Sequence, residues 1–431
     1  MRIGPFLCLV LSVFGFCQMA AQDLPIDTTD TGYRTELETL FLKRTAATKA
    51  VLSKIDNRQV RREVLESYTE HAGEFLELIQ KGVFIRDKKY SGLLENILEK
   101  IKHANPDQHF DDMKLLIAAS NNSNAYNIGN DFVVFNLPII FDIVNEYELA
   151  FILSHEMAHQ KLNHVLQSLV RSKEISNSDE VKSRTRAIAR QKYNQGKQAS
   201  ELYKQIIYGS REESRKKEVQ ADSLGYIFFS KTYPDYRYQA VKTLEVLKNI
   251  DTPKDSLLLA DYQEIFAKHQ LTFKPEWIAD GENHYSYQKD KSWNVDSLRT
   301  HPNCDQRIVF LKERFKINDS DVKDVSPATF QDLKKDSASE YIFALYFIEE
   351  YGESLYNTLL SLKKNPDDAF LKKMLHDNLL KISIARNNFT ANKYVRTEDP
   401  EYSDSYNRFL RFVGNLRKSE LNQIIETFKQ P

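Results

Sequence analysis

"AFILSHEMAHQKLNHV", residues Ala150–Val165, places three histidines and one glutamate in a stretch that is otherwise apolar and helix-forming. Because an α-helix turns by about 100° per residue, His155 and His159 share one face and can reach a single metal ion. Glu156 lies beside them, within reach of a water molecule at that ion, as in the HExxH motif. His164 follows His155 by nine residues, so continued helical geometry predicts that it faces away from the metal.

The residues around this motif predict that it lies inside one continuous helix. Asn145 is a favoured residue type for a helix N-cap, and Glu148 follows three residues later, as in a capping box. Apolar residues then recur with helical spacing at Leu149, Ile152, Leu153, Leu162, Leu166 and Leu169. We therefore expect the motif in the middle of a helix, where residues one turn apart face the same way.

Two histidines are too few for a catalytic zinc ion, which takes three protein ligands and leaves a fourth position for water. The HExxHxxGxxH pattern would add a third histidine, but Leu162 and Val165 stand where it requires glycine and histidine. Further along, Glu218 and Asp222 are four residues apart and thus share a helical face. Glu218 could ligate the metal, and Asp222 could accept a hydrogen bond from a liganding histidine. The alternative is that both belong to an ordinary charged helix surface, since acidic and basic residues crowd just upstream.

Taken together, the motifs resemble the gluzincin peptidases of metallopeptidase family forty-eight, the group that contains the CAAX prenyl protease and the heat-shock protease HtpX. The resemblance rests on "NAYNIGNDFVVFNLPIIFDIVNEYELAFILSHEMAHQKLNH", "EVQADSLG" and "RTHPNCDQRI", in the family's order, and it spans roughly Lys88–Phe315. It implies a zincin-type core with one Zn²⁺ per chain. His155, His159 and Glu218 would then be the zinc ligands, and Glu156 the general base.

The resemblance also implies roles for residues around the ligands. Asp222 would orient a liganding histidine, and Asn124 and Ala125 would open the strand along which an extended substrate binds by main-chain hydrogen bonds. His301 would either donate to the developing oxyanion or occupy the open metal position in a resting state. The residue types alone allow simpler interpretations: a turn for Asn124, an extended or turn residue for His301 and helix capping or packing for Arg307.

Composition excludes some classes of function. With 60 basic and 61 acidic residues among 431, the chain offers no electrostatic argument for binding nucleic acid or an anionic membrane. Its content of 41% hydrophobic and 28% charged residues is typical of a soluble globular protein. Beyond the first 21 residues Cys304 is the sole cysteine, so no internal disulfide is expected there.

The N-terminal stretch "MRIGPFLCLVLSVFGFCQMAAQDLP" predicts a signal peptide cleaved near Ala21, and therefore a secreted, periplasmic protein. Two alternatives stay open. The apolar run Pro5–Phe16 could be an uncleaved anchor, although it is short for one. Cys17 could be lipidated, although Phe16 is large for the position before a lipidated cysteine. No later stretch is long and apolar enough to predict a transmembrane helix.

We expect a mainly α protein with a small β-sheet, an α+β fold. The predicted parts are a signal peptide (1–21), an N-terminal helical segment (22–84), a zinc metallopeptidase domain (85–316), a linker (317–330) and a C-terminal helical domain (331–431). The runs Met113–Ser120 and Asp131–Ile140 predict strands, joined through the turn-rich "NNSNAYNIGN" as a hairpin or meander. Residues Val165–Ser214 form a charged helical insertion, either a flap or a solvated helix. The C-terminal domain is either a tetratricopeptide-like hairpin or a plain helical bundle.

The sequence thus predicts a periplasmic zinc metalloendopeptidase with polypeptide substrates, by analogy unfolded or misassembled envelope proteins. Protein partners would bind through the C-terminal helical domain. One alternative is a helical chaperone or assembly factor with a structural or vestigial zinc site. Another is a protease held latent by His301 or by the charged insertion. The carboxylate of Glu156 favours a catalytic site, because a structural zinc site has no use for it.

Overall fold

The computed structural model describes residues 25–191, 194–250, 252, 255–280, 304–323, 325 and 328–429. The predicted signal peptide, with Cys17 and the anchor run, lies outside these residues, and so does the candidate His301. None of the described helices is both long and apolar enough to cross a lipid bilayer.

The described chain is mainly helical with one small sheet, as the sequence predicts. The elements before the motif are α1 (Thr31–Leu52), α2 (Arg58–Gln80), β1 (Phe84–Ile85), α3 (Lys88–Ala104), β2 (Lys114–Ala118), β3 (Ala125–Gly129), β4 (Phe132–Asn136) and α4 (Leu137–Asp142). The next elements are α5 (Glu146–Lys161), α6 (His164–Ser176), α7 (Asp179–Ala189), α8 (Gln195–Thr232), α9 (Gln239–Lys248), α10 (Leu259–Ala267) and α11 (Cys304–Phe315). The remaining helices are α12 (Ala328–Leu333), α13 (Ser337–Phe347), α14 (Tyr351–Lys364), α15 (Ala369–Asn387), α16 (Asp404–Asn415) and α17 (Lys418–Phe428).

The sheet has the strand order β1-β2-β4-β3, so β3 forms one edge of it in the described part of the chain. Strands β3 and β4 form an antiparallel hairpin, whereas β2 and β4 run parallel. The prediction of a hairpin between the runs Met113–Ser120 and Asp131–Ile140 is wrong, because these runs contain β2 and β4, which are parallel. The strand that pairs antiparallel with β4 is β3, inside the stretch predicted as turn. The actual turn is Asn130-Asp131, where both residues have positive φ, the conformation that a tight hairpin turn requires.

The two faces of the sheet are covered by different helices. On one face, Leu116 of β2 and Phe132 and Val134 of β4 pack against α1 and α2. On the other face, Ile117 of β2 and Val133 of β4 belong to the core formed with α3, α5 and α8. This alternation follows from the two-residue period of a strand. Both faces are therefore buried, and the second face holds helix α5, which carries the motif, against the sheet.

A separate hydrophobic cluster contains α14–α17 and the segment between Leu257 and Trp277. The sequence places that segment in the metallopeptidase domain, but its large apolar side chains, Phe266 and Trp277 among them, pack with the C-terminal helices. After residue 331 the described chain forms the helices α13 to α17.

The prediction of one continuous helix from Asn145 past Leu169 is wrong. Asn145 does cap α5, accepting hydrogen bonds from the main-chain N–H groups of Tyr147 and Glu148. The helix ends at Lys161 because Asn163 adopts a left-handed conformation with φ of 55°. The leucines beyond this point belong to α6, where Leu166, Leu169 and Val170 pack against α1 and α2.

Candidate metal centre

Helices α5 and α8 meet at Gly225, whose role the sequence does not predict. A Cβ atom on Gly225 would lie 2.8 Å from Cα and 2.9 Å from the main-chain N of His155. Any larger residue would therefore push the two helices apart. The close approach brings Glu218 and Asp222, on one face of α8, against His155. A glycine in the middle of a strongly helical stretch was the one available signal.

Three side chains converge where the two helices meet. The Nε2 atoms of His155 and His159 are 3.0 Å apart, and Glu218 oxygens lie 3.5 Å from the first and 3.4 Å from the second. Zinc–ligand bonds of about 2.0–2.2 Å in a tetrahedron separate ligand atoms by about 3.3–3.5 Å. Both distances to Glu218 fall in this range, and the two imidazole nitrogens, 3.0 Å apart, are slightly closer than it. The donor set of two imidazoles and one carboxylate is also one that catalytic zinc uses. These residues therefore fit a zinc ion, and they are the group among the described residues that could hold a metal.

Asp222 fixes the orientation of the first ligand. Its side chain is fully buried, and its Oδ1 lies 3.0 Å from Nδ1 of His155, so the Nδ1 proton points away from the metal position. Burial opposes protonation of His155, but hydrogen bonds with Asp222 and Glu218 raise the pKa of His155 to about 10. The raised pKa favours the protonated ring, and a metal ion binds only a deprotonated ring nitrogen.

Arg307 on α11 neutralises Asp222, a role that the sequence analysis did not assign. The guanidinium donates from Nε and Nη2 to the two carboxylate oxygens of Asp222, at 2.8 and 2.6 Å. Although burial raises the pKa of a carboxyl, this guanidinium lowers the pKa of Asp222 to about 2. Arg307 is itself buried, because a buried carboxylate at this place requires a buried cation.

Glu156 is buried and faces the edge of the sheet. Its Oε2 accepts a hydrogen bond from the main-chain N–H of Asn127, in β3, at 2.9 Å. This N–H cannot also bond to β4, so it points out of the sheet edge. Asn127 is a further site residue that the sequence did not reveal, since it acts through its main chain, which leaves no mark on residue type.

The candidate substrate residues Asn124 and Ala125 lie at the start of the same strand. The carbonyl of Asn124 accepts a hydrogen bond from the N–H of Asn136, so it faces β4. Main-chain groups alternate along a strand, so those of Ala125 face the outer edge, on the side of Asn127 and Glu156. The side chain of Asn124 lines an adjacent cavity of about 730 Å³.

The expectation that His164 faces away from this centre is wrong. Its Nδ1 lies 3.0 Å from Nδ1 of His159, and its Nε2 lies 3.2 Å from Oε1 of Gln220, on α8. Helical geometry does not extend from His155 to His164, because α5 ends at Lys161 and Asn163 adopts a left-handed conformation between them. Burial lowers the pKa of His164, which favours the neutral ring.

Gly225→Ala is expected to lower the free energy of unfolding by about 1–3 kcal/mol, the usual cost of overpacking. It should also weaken zinc binding, because the added methyl displaces the backbone of His155. Urea denaturation of the metal-free protein and competition with a chromophoric chelator measure the two effects. Gly209→Ala is the matched control on α8, since a Cβ there would meet no described atom within 4 Å. It should raise stability by up to about 1 kcal/mol through helix propensity. Equal effects of both substitutions would contradict a close approach at Gly225.

The part of the chain that forms this centre matches a known protein family. The model of peptidase family M48 matches residues 91–315, slightly more than half of the chain and the part that carries α5, α8 and Arg307. No curated protein and no solved structure matches the chain. The matched range contains all three residues of the group that could hold a metal, and it agrees with the resemblance seen in the motifs. The chain therefore belongs to peptidase family M48, a family of zinc-dependent metallopeptidases.

Proposed function

We propose that the protein is a zinc endopeptidase that hydrolyses internal bonds of extended polypeptide segments. His155, His159 and Glu218 hold the zinc ion, and Glu156 is the general base. The observation that supports this proposal is the hydrogen bond between Glu156 and the N–H of Asn127, since it brings the carboxylate of Glu156 beside β3, the edge strand of the sheet in the described residues. A peptide that lies along this edge passes directly in front of the base.

The substrate binds as an added strand on β3. The outward N–H and C=O groups of Ala125 pair with the main chain of the substrate, and Asn124 contacts a side chain in the neighbouring cavity. Main-chain pairing requires an extended segment, because the backbone groups of a folded protein are already paired within its own helices and sheets. Unfolded or misassembled polypeptides are therefore the substrate class that this edge fits.

Each residue of the site then has a defined part in hydrolysis. Zinc in such a site acts as a Lewis acid that polarises the scissile carbonyl and makes a water molecule more acidic. Glu156 takes the proton from the attacking water and delivers it to the leaving amine. The N–H of Asn127 holds one oxygen of Glu156 and so fixes the direction of this proton transfer. Asp222, paired with Arg307, keeps the Nδ1 proton of His155 in place, so Nε2 faces the zinc position.

The protein acts outside the cytoplasm on envelope proteins, and its C-terminal helical domain guides substrates or partner proteins towards β3. The apolar N-terminal run supports export. A cavity of about 780 Å³ supports the role of the C-terminal helices, since it is lined by Asn122 and Ser123, just before β3, and by Tyr341 and Tyr406. A polypeptide bound on β3 can continue into this cavity.

The chain without residues 1–21 tests the function directly. Zinc-loaded protein is expected to cleave an unfolded model protein, to lose this activity in a chelator, and to regain it when zinc is added back. Circular dichroism should show that the metal-free protein stays folded, since a catalytic zinc site is less coupled to folding than a structural one. Suppression of aggregation without cleavage, together with unfolding in the chelator, would instead favour a chaperone with a structural zinc site.

A further inference from the structure

The ring of His164 connects the two helices that carry the zinc ligands. His164 is the first residue of α6 and is buried. Its Nδ1 lies 3.0 Å from His159, on α5, and its Nε2 lies 3.2 Å from the side-chain oxygen of Gln220, on α8. Gln220 is two residues after the ligand Glu218. The imidazole of His164 therefore contacts His159 on α5 and Gln220, close to Glu218, on α8.

The hydrogen-bonding capacities of these groups fix the direction of each bond. Two facing Nδ1 atoms can share a single proton, so one donates and the other accepts. His159 must keep Nε2 bare to ligate a metal, so its proton is on Nδ1 and donates to His164. His164 then carries its own proton on Nε2 and donates it to the carbonyl oxygen of Gln220, which can only accept. The chain of bonds is consistent from the metal position to α8.

We propose that His164 is a positioning residue of the metal centre, which sets the ring of His159 and ties α5 to α8. The proposal rests on the zinc site of the proposed function. A liganding histidine commonly donates its second ring N–H to a carboxylate or a main-chain carbonyl. Asp222 is in the position to accept this proton from His155, and here a second histidine, His164, accepts it from His159.

The surroundings of His164 hold it in a fixed position. Lys217 on α8 donates to Oγ of Ser168, one turn further along α6, at 2.7 Å. Leu166 and Leu169 of α6 pack against α1 and α2, next to Val64. Part of the charged insertion is therefore a support for the metal centre, linked through His164 to the ligand His159.

The test compares His164→Leu with His164→Asn by competition of the purified, metal-stripped full chain with a chromophoric zinc chelator. Leucine keeps the ring's apolar volume but cannot accept the proton of His159. We expect it to raise the dissociation constant for zinc by about 10–100-fold, the usual effect of losing such a partner. The side-chain oxygen of asparagine can take the place of Nδ1, so His164→Asn should restore most of the affinity. Ser172→Ala is the control on the same helix: the exposed hydroxyl of Ser172 donates to the carbonyl of Leu169 within α6, so its loss should leave the zinc affinity unchanged.

Melting of the metal-free proteins separates positioning from packing. We expect His164→Leu and His164→Asn to melt within a few degrees of each other, while their zinc affinities differ. Wild-type zinc affinity in His164→Leu would overturn the proposal. So would equal zinc affinities of the two variants, which would mean that His164 only fills space. Because zinc binding needs no hydrolysis, a chain that binds zinc but cleaves nothing would refute the peptidase and leave this inference standing. Failure of the wild type to bind zinc would refute both.

Discussion

Glu156→Gln is expected to lower kcat for peptide hydrolysis by about 10²–10⁴-fold, the range that general acid–base catalysis contributes. Glutamine has the same length and can still accept the N–H of Asn127, but it cannot take a proton from water. Zinc should bind with unchanged stoichiometry, because the group that could hold it consists of His155, His159 and Glu218 and does not include Glu156. The measurements are steady-state hydrolysis of an unfolded protein and metal content after dialysis.

The matched control for this prediction is Glu146→Gln. Glu146 lies in the first turn of the same helix and pairs with Lys100, 3.6 Å away, so its loss should leave kcat unchanged. Loss of zinc from Glu156→Gln would make Glu156 a ligand and contradict its role as the base. A kcat close to that of the wild type would place the base elsewhere.

Arg307→Leu is expected to reduce the free energy of unfolding by about 3–5 kcal/mol, the cost of removing one partner from a buried ion pair. Leucine leaves the carboxylate of Asp222 fully buried without its guanidinium. Chemical denaturation of the metal-free protein measures the loss. Arg314→Leu is the control on the same helix, since Arg314 is exposed, and it should change stability by less than about 0.5 kcal/mol.

The loss of unfolding free energy caused by Arg307→Leu should depend on pH. The pKa of Asp222 falls in the folded protein from its ordinary value of 3.8 to about 2. The pair therefore stabilises the fold above pH 4, and this contribution is lost as the pH falls towards 2. The difference in stability between the wild type and the variant should narrow over that range. A difference that is constant from pH 7 to pH 3 would show that Arg307 acts by packing and not by charge.

The parts of the centre that sequence could predict are those set by spacing within one helix. His155 and His159 are one turn apart on α5, and Glu218 and Asp222 are one turn apart on α8, so each pair follows from helical geometry alone. The meeting of the two pairs also requires Gly225, whose importance appears only when the helices are packed. Sequence spacing therefore predicts which side chains share a helix face, and the packing of α5 on α8 determines the distances between the two pairs.

The parts that could not be predicted depend on single backbone conformations or on distant partners. His164 was misplaced because the left-handed conformation of Asn163 ends the helix in a stretch whose apolar spacing continues. Arg307 could not be paired with Asp222, since nothing in either residue's neighbourhood specifies the other. Strand β3 was missed because Asn127 within it and Asn124 and Asn130 on either side are typical turn residues. An edge strand that works through main-chain groups needs few β-forming side chains.

The separation of α5 from α8 along the chain also bears on how the protein folds. The two ligand helices are joined through α6 and α7, so their contact closes a long loop, and such non-local contacts form late and slowly. Zinc captured afterwards stabilises the closed state, by about 4 kcal/mol at a free concentration 1,000 times its dissociation constant. A newly made chain therefore has no proteolytic activity until both helices have docked. Unfolded polypeptides around it, which are the proposed class of substrate, are therefore not cleaved while this chain folds.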